Sequence, residues 1–156
     1  MLLSLVVWVG GLIFFPVVAQ TAFGLLFDAP HLAGLLVRTA LLELHWMGIV
    51  SGIVFLFSSL AYDLLSGGPP RLLSARNVLV ACMLALTLIS QFEIIPHMER
   101  LRTSVHDFGS LLENDPVRVS FDALHTWSTG LEAGVLLLGL IVVGIMSGQL
   151  ARSKSS

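Results

Sequence analysis

The chain has 156 residues, 56% of them hydrophobic and only 12% charged, with a formal net charge of -2. Soluble domains carry ~25% charged and ~45–50% apolar residues, and a chain this short has no interior large enough for the excess, so the composition excludes a soluble globular fold. The near-neutral charge, without a Lys or Arg cluster, excludes nucleic acid as a partner. The single cysteine, Cys82, excludes an internal disulfide and, with no Cys/His spacing around it, a structural zinc site.

About 20 apolar residues in a helix cross the hydrocarbon of a bilayer, and the chain offers four such stretches in a single transmembrane domain. The first, residues 2–27, holds no charge before Asp28. Val17-Val18-Ala19 resembles a signal cleavage site, yet no Lys or Arg precedes the apolar run and the run continues past it, which predicts a retained helix. Asp28-Ala29-Pro30 reads as a helix start, and the second span follows over residues 37–62. Ser66-Gly67-Gly68-Pro69-Pro70 is a break, and the third span covers residues 77–96.

From His97 to Asn114, Met98, Leu101, Val105, Phe108 and Leu112 recur at spacings of three and four. This predicts a short amphipathic interfacial helix, or an extension of the third span. Asn114-Asp115-Pro116 ends it and caps the fourth span, residues 117–148. The predicted fold is all-α, an integral membrane four-helix bundle.

The basic loop residues do not orient the bundle. Arg71, Arg76, Arg152 and Lys154 fall on one side, and Arg38, Arg100, Arg102 and Arg118 on the other. The second side holds most of the acids, which places the termini on the cytoplasmic side, in a bacterial plasma membrane.

Ionisable groups within a span are expensive and point to function. With Asp28, Arg38, Arg100 and Arg118 marking one surface, His45, Glu93 and His125 lie ~10 Å inside it and Gln20 ~12 Å. Glu93 and His97 share a helix face, as do His125, Ser128 and Glu132, with Glu132 deepest; Glu43 points away from His45. The plain reading is interhelical hydrogen bonding that sets the packing. The sharper reading takes His45 and His125 as axial ligands of a b-type haem, with Arg38 pairing a propionate and Glu93 nearby. Alternatively, His45, His97, His125, Glu93 and Glu132 ligate copper, iron or zinc. Gly48 and Gly52 on the His45 face, and Gly130 and Gly134 after His125, either let helices approach or make room for a flat ring. His31 and His106 read as surface residues, and Trp8, Trp46 and Trp127 as packing or interface residues.

Several local patterns resemble a known family. Trp8, Gly11 and Phe14-Phe15-Pro16-Val17-Val18, then Leu44-His45-Trp46-Met47-Gly48, then Pro96 with Leu101-Arg102, then Phe121 to His125 with Ser128, are similar to the membrane domain-of-unknown-function family that includes transmembrane protein 205. The resemblance implies the same four-span fold and no particular activity. That family pattern has Asn seven residues after the fourth-helix His, where this chain has Glu132. More distantly, the layout is similar to bundles related to copper-resistance protein D and to the haem-binding protoporphyrinogen oxidase of bacteria.

Three functions follow as expectations: a haem- or metal-binding membrane protein with redox or metal handling, a proton-coupled exporter of metal or small molecules acting as a homo-oligomer, and a non-catalytic subunit of a larger membrane complex. The lipid bilayer is the expected surrounding in each. No GxSxG, P-loop or dinucleotide fingerprint marks the chain as a conventional enzyme.

Overall fold

The computed structural model describes residues 1–66, 73–105 and 108–153. The Gly67–Pro70 break, Arg71, His106 and Lys154 lie outside the described residues. Among the described residues four helices are each long and apolar enough to cross a membrane: α1 (Leu2–Leu25), α2 (Pro30–Leu65), α3 (Ala75–Thr103) and α4 (Pro116–Ser153). No strand occurs among the described residues.

Each helix packs on its neighbours in chain order, and α1 also packs on α4, which closes the ring. The core runs along the axis through Trp8, Phe55, Met83, Val80, Val135 and Val142. The outside is as apolar as the inside, with Leu3, Phe14, Phe57 and Leu137 all more than half exposed. Apolar surface on that scale needs lipid around it. The chain is therefore an integral membrane protein.

The helix ends follow local chemistry. Pro30 occupies the first turn of α2, where its missing N–H costs nothing, but the N-cap is Ala29 and makes no side-chain bond, so Asp28 is not the expected cap. At α4 the expectation holds: Asp115 Oδ1 accepts from the Val117 N–H at 2.8 Å.

Helix α3 does not stop at Pro96. A π-turn over Ser90–Ile94 widens the helix one turn ahead of the proline, and the Ile95 N–H reaches back five residues to the Ser90 carbonyl. A wide turn of this kind is one way a helix absorbs the carbonyl clash and lost hydrogen bond at proline. The stretch predicted as a separate interfacial helix accordingly divides. Its first part extends α3 to Thr103, and Phe108–Ser110 forms a single 3-10 turn.

The glycine pattern also resolves. A Cβ at Gly48 would fall inside the Trp8 indole, and one at Gly52 would strike both Trp8 and Leu84. The flat ring for which these glycines make room is a side chain of α1, 2% exposed. Gly130 has no atom near its Cβ position.

Candidate functional site

The arrangement that matters most lies at the centre of the bundle. His45 on α2 is 1% exposed. Its Nδ1 donates to Gln91 Oε1 of α3 at 2.8 Å, and its Nε2 lies 2.5 Å from Glu132 Oε1 of α4. The imidazole thus spans the bundle from one helix to its diagonal partner, with the third helix clamping the other nitrogen. His45 lies ~22 Å along α2 from its start and Glu132 ~24 Å along α4 from its start, near the middle of each helix.

A nitrogen–oxygen contact of 2.5 Å requires a proton between the two atoms. Gln91 can only accept through Oε1, so Nδ1 keeps its own proton. The other proton belongs either to an imidazolium facing a carboxylate or to a carboxylic acid facing a neutral imidazole. The two states differ by a short transfer along one bond. Thr87 and Ser90, one turn below and one residue before Gln91, are fully buried, and their hydroxyls have no partner; neither does Glu132 Oε2. Buried polar atoms left in this condition carry a desolvation cost that a partner would remove.

The other residues singled out from the sequence stand elsewhere. Gln20, Glu43, Glu93, His97 and His125 have exposed side chains on the outside of the bundle. Arg38 Nε lies 3.3 Å from Glu99 Oε2, an ion pair by distance whose N–H is not aligned as a hydrogen bond, with both side chains about one third exposed. His45 and His125 therefore do not face a common cavity, and both nitrogens of His45 are engaged. Among the described residues no group of three or more His, Cys, Asp or Glu is placed to hold a metal ion.

Two features escaped the sequence reading. Gln91, uncharged and inside an apolar run, carries no signal beyond its spacing of four from Thr87. At the opposite end, where no polar set was expected, Arg76 donates to Asp63 Oδ1 at 3.2 Å, with side chains 13% and 10% exposed and Asn77 buried beside them. Asp63 falls one residue beyond the predicted second span, and the helix runs on to Leu65.

Fold and site together define the class: a four-helix integral membrane bundle with an imidazole–carboxylate pair buried at its axis. A family model described as "Domain of unknown function (DUF4149)" matches residues 3–107, about two thirds of the chain, and the chain belongs to that family. The match takes in His45 and Gln91 and ends before α4, so Glu132 lies beyond it. Comparison with curated proteins and with solved structures gives no match.

Proposed function

We propose that this protein carries a proton on its His45–Glu132 pair and uses it in the proton-coupled export of a metal ion or small molecule. The observation that supports this is the 2.5 Å contact between a fully buried imidazole and a carboxylate on diagonal helices. With the imidazole buried and the carboxylate largely so, the contact holds one proton between two atoms that can each carry it. Gln91 is a positioning residue, since it holds Nδ1 and aims Nε2 at the carboxylate. Four helices are few for a carrier with a midplane site, and a pair of chains supplies eight. We place the protein in a bacterial plasma membrane with both termini cytoplasmic, on the distribution of loop acids.

The competing reading is a haem or transition-metal centre. Imidazole and carboxylate are donors that iron, copper and zinc accept, but His45 and Glu132 alone are one or two ligands short of a usual site. An absorption spectrum before and after dithionite, with elemental analysis, separates that reading from ours.

Infrared difference spectroscopy of the lipid-embedded protein after an acid jump tests the proton reading. The wild type should show a carboxylic C=O band that disappears in Glu132→Gln and shifts in His45→Gln. An identical band in Glu132→Gln would end the proposal. Coupling is tested in vesicles: a proton gradient should drive export through the wild type and not through Glu132→Gln.

A further inference from the structure

The outer face of α3 and α4 carries, besides Arg100 near the helix end, ionisable side chains that the central site does not use. Glu93 and His97 sit one turn apart on α3, and Asp122 and His125 three residues apart on α4; all four are exposed. None of these side chains makes a hydrogen bond or ion pair among the described residues. The neighbouring Phe92 meets Trp46 of α2 edge to face with centroids 6.3 Å apart, which turns Glu93 away from α2 and toward the α4 flank. Measured from the shared end of the bundle, His97 and Asp122 both lie ~9 Å in, and Glu93 and His125 ~14–15 Å in. Ionisable side chains facing hydrocarbon at such depth are rare because the cost is several kcal/mol for a charged group.

The α4 outer face also offers small residues to another helix. Thr126, Gly130, Ala133 and Gly144 fall on one exposed stripe, and Gly130 and Gly144 have nothing near their Cβ positions. Small residues let helices approach within van der Waals range, which is what drives association in lipid. Large apolar side chains share both outer faces, with Leu137 and Leu140 on α4 and Leu3, Val6, Ile13 and Phe14 beside the open Gly10 on α1; the ionisable groups are what set the α3–α4 side apart.

We infer that this face docks a second copy of the same chain, with the two α4 helices side by side about a two-fold axis along the membrane normal. Helix α4 lies between α1 and α3: the buried Gly139 meets Val9 of α1 and Met83 of α3, and Gly134 on the α3 side meets Leu86, while His125, about half a turn round the helix from Gly134 by its spacing, and Asp122 fall on the α1 side. A two-fold axis sets the α1-side flank of one α4 against the α3 side of its partner, because an isologous contact pairs each surface with the opposite flank of the same surface. Asp122 and His125 of one copy then meet the second copy's α3 at matching depths, acid opposite base in both cases: Asp122 against His97, and His125 against Glu93. The charge pattern of the face is its own complement. Glu93, His97, Asp122 and His125 of the two copies become four acid–base pairs in the dimer, shielded from lipid, and Arg100 stays at the surface end of the face. This inference does not rest on the proton reading of the central pair.

The test is crosslinking in native membranes, in a Cys82→Ala background. Ala133→Cys should give a disulfide-linked species of twice the chain mass, whereas Ile13→Cys on the α1 outer face should not. His125→Glu, which opposes two acids, should abolish the Ala133→Cys crosslink, and adding Glu93→His should restore it. Should His125→Glu fail to fold, the mass of the wild-type chain in lipid nanodiscs decides, with a dimer expected and a monomer overturning the inference. Equal crosslinking at Ile13→Cys, none at Ala133→Cys in folded protein, or an adduct to a protein of another mass would likewise overturn it.

Discussion

Among the described residues the bundle contains two buried acid–base contacts, and they differ in their partner and in their place. At the centre, Glu132 faces an imidazole that is 1% exposed. At the far end, Asp63 faces a guanidinium, with Asn77 beside it. A guanidinium never releases its proton in a protein, so the Asp63–Arg76 pair is a fixed charge couple that ties the end of α2 to the start of α3. An imidazole does exchange its proton near neutrality. Carboxylate chemistry is the same in both places; what distinguishes a strut from a proton carrier is the base opposite it.

The largest expected effect tests that distinction directly. Glu132→Gln should remove the protonation band of the lipid-embedded protein, while Asp63→Asn should leave the band intact. The stability order should differ. Asp63→Asn leaves Arg76 buried without its carboxylate, at a cost of about 1–3 kcal/mol, and denaturation in mild detergent should show it. If Asp63→Asn removed the band and left stability alone, the assignment of roles would be reversed.

A second comparison sets two glycines against each other. Gly48→Ala forces its new methyl into the Trp8 ring, and overpacking of this kind costs about 1–3 kcal/mol. Gly130→Ala points into open space and should leave the melting temperature of the isolated chain unchanged. Equal melting of the two variants would show that Trp8 yields easily and that the α1–α2 contact is loose.

The fold was legible because membrane solvent leaves few options. Backbone polar groups in hydrocarbon must be satisfied within the segment, so four apolar stretches separated by Pro, Gly and Asp predict four helices without any tertiary information. The site was only half legible. His45 and Glu132 stood out as ionisable groups in apolar runs, yet their pairing depends on which helices lie diagonally across the bundle, and residue depth alone does not fix that. Depth counted from Arg38 put His45 in one layer with Glu93 and His125, whereas helix rotation sends His45 inward and the other two outward. Rotation is encoded in weak contrasts on helices that are apolar all round, as α1 is. Gln91 was hidden for a further reason, since the π-turn that shifts the register of α3 follows from Pro96 only once the helix is known to continue past it.

The smallest expected effect concerns Arg38, which the sequence had reserved for a propionate and which the structure pairs with Glu99. Arg38 and Glu99 lie at the end shared by the first and third loops, each about one third exposed, with the guanidinium Nε 3.3 Å from the carboxylate. Exposed pairs are screened by water and salt and contribute ~0–1 kcal/mol, and here the misaligned N–H reduces the gain further. Arg38→Ala should therefore change stability by less than Asp63→Asn, although the two pairs differ little in length. Raising the salt concentration should erase what effect there is, because screening acts on exposed charges and spares buried ones. A loss in Arg38→Ala as large as that in Asp63→Asn, and insensitive to salt, would mean that this end of the bundle is covered in the membrane, by the second copy or by another chain.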